Sequence, residues 1–192
     1  MAVTSTMAAL GTVAPDFSLQ DVVLGKTNSL SDFSEREALL IMFFCNHCPY
    51  AKHVQGEIAN LARDHKDKDI GIVAISSNDI VMYPDDSPVN LKTQSESQNF
   101  TFPYLYDETQ EVAKAYTAAC TPDFFLFDKS RKLVYRGQLD DSRPGNNIPV
   151  TGKDLRAAIS ALLLGNPISE FQRPSSGCNI KWKPGNEPVY FN

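Results

Sequence analysis

Seven consecutive apolar residues, Ala38 to Phe44, run straight into Cys45-Asn46-His47-Cys48-Pro49. A short continuous apolar run of this kind is the mark of a central strand covered on both faces. Pro49 to Asp67 then reads as a helix. Val54, Ile58, Leu61 and Ala62 fall at i, i+4, i+7 and i+8, an apolar stripe suited to packing on a sheet. Ile70 to Ile75 is a second buried strand. Strand, helix and strand in that order demand a parallel, right-handed crossover. The chain is thereby committed to an α/β architecture, with two cysteines where a buried strand becomes a helix.

Two thiols separated by two residues at such a junction are placed for thiol–disulfide exchange. The first is expected at the helix N-terminus, where unpaired N–H groups and the helix dipole favour negative charge. Because the thiolate is the nucleophile, Cys45 is expected to be ionised and open to solvent. The spacing lets Cys48 attack a mixed disulfide formed by Cys45. Inert core thiols and a zinc half-site are the alternatives. Zinc usually takes four ligands, and the chain has neither a second Cys-x-x-Cys nor a His-x-x-x-His pair. A makeshift set of Cys45, His47, Cys48 and His53 would crowd one helix start, so no metal and no bound cofactor are expected.

The flanking segments fill out the sheet. Ala14 to Leu19 reads as a short strand, Gly25-Lys26 as a turn and Asn28 to Phe33 as a loop or helical turn. Ser87 as N-cap with Pro88 at the first helical position opens a helix to about Gln98. Phe102 to Tyr106 is a short extended segment, and Asp107 with Gln110 caps a short helix to about Tyr116. Phe124 to Phe127 and Lys132 to Gln138 read as an antiparallel hairpin. Thr151 with Asp154 starts a last helix, whose stripe is Leu155, Ile159, Leu162 and Leu163; Gly165-Asn166-Pro167 stops it. Residues 1–165 are expected to form one domain, and 166–192 an extended tail lying over it.

Composition excludes several function classes. Net charge is −5 with scattered Lys and Arg, so no basic stripe exists to neutralise phosphates and nucleic acid is not an expected partner. The longest apolar run is far short of the roughly 20 residues that span a bilayer, and Met1 to Leu10 lacks the pattern of a signal peptide. No membrane partner is expected, and a cytoplasmic location is. In a reducing compartment a close cysteine pair in a strand–helix setting is catalytic or metal-binding rather than structural.

The β-α-β unit carrying Cys-x-x-Cys, the hairpin introduced by Thr121-Pro122 and the final helix together resemble the thioredoxin fold over about residues 14–165. Ala-Pro-Asp-Phe-Ser-Leu at 14–19 and the insertion at about 77–101 resemble its redoxin, or AhpC/TSA-like, branch. Phe44 to Tyr50 and the tail Gly177-Cys178-Asn179-Ile180-Lys181-Trp182 are similar to bacterial thioredoxin-like thiol–disulfide oxidoreductases of that group. The resemblance implies a central mixed β-sheet flanked by helices, with an N-terminal β extension and a C-terminal tail. It makes Cys45 the attacking and Cys48 the resolving thiol, with His47 helping to hold Cys45 as thiolate. Thr121-Pro122 becomes a cis-proline loop facing the disulfide, offering backbone hydrogen bonds to an extended substrate; Asn46, Pro49 and Thr121 would line its approach. Protein disulfides would be the substrates and a thiol of thioredoxin or glutathione type the electron donor.

Two departures from related patterns matter. Peroxiredoxins carry Pro-x-x-x-Thr-x-x-Cys; aligned on Cys48, this chain has Ile41 for the proline and Cys45 for the threonine. An atypical thiol peroxidase with an antioxidant role is therefore the second expectation, and a metal-binding module the third. Thioredoxin has a buried acid six positions before its first active-site cysteine, where this chain has Leu39; a proton acceptor for Cys48 must come from elsewhere. Cys120 reads either as a further redox thiol or as a small buried residue. Cys178 can pair with Cys120, resolve an intermediate from Cys45, or stay free. Trp182 is expected to anchor the tail.

Overall fold

In the computed structural model, which describes residues 2–191, the expected central strand is β4 (Ala38–Phe43), buried at every position. Its side chains alternate between two cores. Ala38, Leu40 and Met42 join one apolar cluster, and Leu39, Ile41 and Phe43 the other. A strand that must be apolar on both faces cannot show polar alternation, which is why the run is unbroken. Strands β1 (Ala2–Thr4), β2 (Ser18–Asp21) and β3 (Thr27–Ser29) precede it, with a 3-10 turn at Leu30–Phe33. Helix α1 (Pro49–Asp64) follows and returns the chain to β5 (Ile70–Ser76). That strand lies parallel to β4 with Ala38 opposite Ile70.

After β5 come a second 3-10 turn at Pro84–Asp86 and then α2 (Pro88–Gln98), β6 (Tyr104–Tyr106), α3 (Glu111–Ala115) and β7 (Cys120–Thr121). The hairpin is β8 (Asp123–Phe127) with β9 (Leu133–Gly137), and α4 (Lys153–Leu163) and β10 (Ser176–Asn179) complete the chain. The large sheet is mixed, in the order β3-β2-β6-β5-β4-β8-β9. Helices α1 and α4 cover one face through Val54, Ile58, Leu61, Leu155 and Ile159. The other face is closed by α3, the N-terminal Ala14 and Phe17, and Ile180 and Trp182 of the tail. Trp182 is buried and meets Tyr190 edge-on at 6.4 Å, so the tail is anchored as expected.

Several boundaries move. The segment at Ala14 to Leu19 pairs only from Ser18 onward. Helix α1 stops at Asp64 because the run after it is polar throughout. Asp107 does not cap α3 from the N-cap position, which Gln110 occupies with φ 64°; its Oδ2 instead accepts from the Ala113 N–H (2.9 Å) and the Ser77 hydroxyl (2.9 Å). Thr151 likewise yields its cap position to Gly152 at φ 66°, a left-handed conformation that glycine adopts without strain.

Residues 2–4 and the tail do more than extend the body. Strands β1, β10 and β7 form a separate three-stranded antiparallel sheet. Its edge strand β7 leads directly into a cis Thr121–Pro122 peptide.

Candidate active site

The motif occupies the turn between β4 and α1. Pro49 is the first residue of the helix, so the N-cap is Cys48 and not Cys45. The thiol favoured by the helix terminus is thus the second of the pair, contrary to the reading of the sequence. Interaction with the Cys45 thiol holds the Cys48 sulfur well below the usual thiol range. The Cys178 thiol and the backbone N–H groups of Ala51 and Cys178 add to this, against the opposing effect of burial. When Cys48 is protonated it donates instead to the Thr121 carbonyl, 3.2 Å away, so its sulfur has a partner in either state.

Cys45 was expected exposed and ionised; it is neither. Its residue exposure is 0%. Burial foremost pushes its thiol up, followed by the hydrogen bond to Cys48 and the nearby Asp86 charge, with the Thr121 hydroxyl pulling weakly the other way. That hydroxyl lies 3.1 Å from the Cys45 sulfur. The cover comes from the insertion after β5 on one side and the tail on the other. Gln94 of α2 reaches the Cys45 carbonyl (3.4 Å). The Tyr83 and His47 rings meet at a tilt with centroids 5.0 Å apart, and the Lys181 ammonium sits 5.3 Å over the same Tyr83 ring. Lys181 in turn is tied to the insertion, donating its N–H to Asn78 Oδ1 (2.8 Å) and accepting from the Asp79 N–H (2.8 Å).

The residue that organises this loop is not among the expected site residues and lies in the insertion segment Tyr83 to Pro88, whose sequence reads as a rigid loop ending in a helix cap. Asp86, fully buried, accepts the backbone N–H groups of Asn46 (2.7 Å) and His47 (2.9 Å) at Oδ1. Its Oδ2 accepts from His47 Nδ1 (2.5 Å) and Asn78 Nδ2 (2.8 Å). Although burial raises its pKa, the His47 and Asn78 donors outweigh that and leave the carboxyl below the ordinary value. Asn46 also donates its side-chain amide to the Asp85 carbonyl (3.0 Å). His47 and Asn46 therefore fix the loop to the insertion.

The remaining expected residues separate. Thr121 meets both thiols through its hydroxyl and carbonyl, and Pro122 follows it across the cis peptide. Cys120 is fully buried, touches the Pro122 carbonyl at 3.6 Å, and is pushed up by burial, as a small core thiol would be. His53 is drawn away to the Ser142 hydroxyl (2.7 Å), so the makeshift four-ligand zinc set is not assembled. Ligand atoms of Cys45, His47 and Asp86 do lie within 4.8 Å of one another, but Asp86 already accepts four hydrogen bonds. Asp123, next after the cis-proline, is fully buried, and neither of its oxygens has a well-formed hydrogen bond. Desolvation raises it to about 8. Among the described residues, no helix is long and apolar enough to cross a membrane.

A dithiol at a strand-to-helix turn, set against a cis-proline loop on a mixed sheet, defines a thioredoxin-fold protein of the redoxin branch. Within that class the chain belongs to the AhpC/TSA family, whose profile it matches over residues 10–136. It is 25% identical over 130 residues to the thiol-disulfide oxidoreductase ResA of Geobacillus thermodenitrificans, spanning 67% of this chain and 68% of that one. The crystal structure of an uncharacterized conserved protein from Geobacillus kaustophilus superposes with TM-score 0.94 at 58% identity, covering 96% and 98% of the two chains. A putative thiol:disulfide interchange protein DsbE from Chlorobium tepidum shares the fold, with TM-score 0.65 at 19% identity over 81% and 98%. Family membership makes this chain an oxidoreductase of the kind that acts on sulfur groups.

Proposed function

We propose that the protein is a thiol–disulfide oxidoreductase that cycles Cys45 and Cys48 between dithiol and disulfide, acting on protein disulfides. One observation carries the reading. The two sulfurs meet at the same residue of the cis-proline loop, Cys45 at the Thr121 hydroxyl and Cys48 at its carbonyl, with Cys48 held toward thiolate. A stabilised thiolate beside a protonated partner thiol is what exchange requires, since one sulfur attacks and the other supplies the proton for the departing group. In one cycle a disulfide R–S–S–R′ accepts two electrons and two protons and leaves as two thiols. Cys45 and Cys48 lose them and become joined. Two equivalents of a donor thiol, of thioredoxin or glutathione type, reverse the change. No cofactor enters this balance. The reading sets the reaction in the cytoplasm, on the sequence grounds above.

Insulin reduction by the purified protein with a dithiol donor tests it. Activity is expected from the wild type and from neither Cys45→Ser nor Cys48→Ser, and Cys48→Ser should lack the thiolate signal in ultraviolet absorbance. Full activity in Cys45→Ser rejects the cycle. Rapid stoichiometric consumption of hydrogen peroxide with little insulin reduction would instead establish the peroxidase reading.

A further inference from the structure

The redox pair is sealed, and the tail seals it. Cys45, Cys48 and Cys120 are fully buried, whereas Cys178 is only half-buried. Strand β10 lies antiparallel on β7 with Cys178 opposite Thr121, so the chain itself fills the edge expected to receive an extended substrate. The approach is close: a Cβ on Gly177 would stand 2.1 Å from the Thr121 carbonyl oxygen. Cys178 packs against the apolar cluster that includes Cys48, and its thiol and backbone N–H help hold the Cys48 sulfur toward thiolate. An open groove of about 700 Å³ reaches β10 at Ser176, two residues before Cys178, and is lined also by Tyr50, Ala119 and Arg143.

We propose that Cys178 is the thiol through which the buried Cys45–Cys48 pair exchanges electrons with other thiol proteins. This rests on reading that pair as the redox centre. Starting from the Cys45–Cys48 disulfide, the Cys178 thiolate attacks the Cys48 sulfur. The Cys45–Cys48 bond breaks, a Cys48–Cys178 bond forms, and Cys45 leaves with the electron pair and takes up a proton. Nothing is oxidised or reduced overall in this step. A donor thiolate then attacks the half-buried Cys178 sulfur, and Cys48 leaves as a thiolate into the donors already arranged around it. Low-pKa thiols leave faster. A second donor thiolate attacks the resulting mixed disulfide, freeing Cys178 and releasing the donor as its disulfide. Two donor thiols have lost two electrons and two protons; the buried pair has gained both electrons and, at Cys45, one proton, and the other proton goes to solvent because Cys48 stays a thiolate.

The pattern of ionisation agrees with this order. In the reduced protein, burial and then the hydrogen bond to Cys48 push the Cys178 thiol up. Once Cys48 is tied in a disulfide it carries no charge, and that second contribution disappears as Cys178 is called on to attack.

Two variants test the assignment. Cys45→Ser, treated with equimolar diamide and then alkylated, should yield a Cys48–Cys178 disulfide on peptide mapping. Cys178→Ser, with Cys178→Ala as a second form, should still oxidise to Cys45–Cys48. Its reduction by reduced thioredoxin, used as the probe, should be slower by about tenfold or more, because the one partly exposed sulfur of the four is gone. If both Cys48 and Cys178 of oxidised Cys45→Ser remain free to alkylate, the port is overturned. It is equally overturned if both Cys178 variants are reduced at the wild-type rate, and in either case the dithiol cycle stands. Failure of the Cys178 variants to form Cys45–Cys48, with native circular dichroism, removes the cycle and the port together.

Discussion

Replacing Asp86 by Ala is the sharpest test of how the motif is held. Four donors converge on this buried carboxylate: two backbone N–H groups, the His47 ring and the Asn78 amide. Truncation leaves the two N–H groups without a partner, and each orphaned buried group costs about 1–3 kcal/mol. The lost charge-assisted bond from His47 adds about 1.5–3 kcal/mol. Allowing for relaxation and water entry, the loss should be about 3–6 kcal/mol, a large share of the roughly 5–15 kcal/mol that holds a domain together. With a urea slope near 2 kcal/mol/M, the midpoint should fall by about 1.5–3 M at neutral pH. The sign of the pH dependence follows from the depressed carboxyl. A group whose folded pKa lies below its unfolded value of about 3.9 stabilises fully above that value and loses its contribution as pH falls through the folded one. The gap between wild type and variant should therefore be widest above about pH 5 and narrow in acid. A midpoint shift below about 0.5 M, or a gap that grows toward acid, would refute this account of Asp86.

Three further outcomes are expected. Gly177→Ala should lift β10 from Thr121, destabilising the protein by about 1–3 kcal/mol and speeding hydrogen exchange at the Cys178 and Asn179 amides; unchanged exchange contradicts the close contact. Asp123 keeps its proton up to about pH 8 in the folded chain but releases it near pH 4 when unfolded. Wild-type stability should consequently fall as pH rises between those values, and Asp123→Asn should flatten the slope; a flat wild-type profile over that window sinks the assignment. Phe43→Ala empties a fully buried site between Tyr116 and Phe125 and should cost about 3–5 kcal/mol in chemical denaturation; a cost under about 1 kcal/mol would mean the second core collapses around the gap.

What could be read from the sequence was whatever leaves a local trace. The Ala38–Phe44 run, the stripe through Val54 and Leu61, and the hairpin around Asp128 announce themselves by continuity or period, and the structure places them accordingly. The cis peptide at Pro122 came through family resemblance, not from any spacing in the chain. Strands β1 and β10 were invisible because they are short and partly polar and are held by register, β1 on β10 and β10 on β7. Gly177 was the available clue, since a glycine beside a cysteine can mark a close backbone approach. The order of the thiols was legible and misread: a proline after Cys48 favours the first helical position, which puts Cys48 at the cap. Asp86 left no comparable signal. It sits in a turn-like Pro-Asp-Asp-Ser-Pro stretch and acts on a loop 40 residues earlier.

That distance governs how far the four-residue signature can be transplanted. Its loop is pinned by an acid borrowed from an insertion that other scaffolds of this architecture need not possess. Grafting Cys-Asn-His-Cys alone into a minimal host would carry over the letters without their scaffolding, leaving two amide hydrogens and an imidazole unclaimed. In this protein the geometry of the motif and the presence of the insertion stand or fall together.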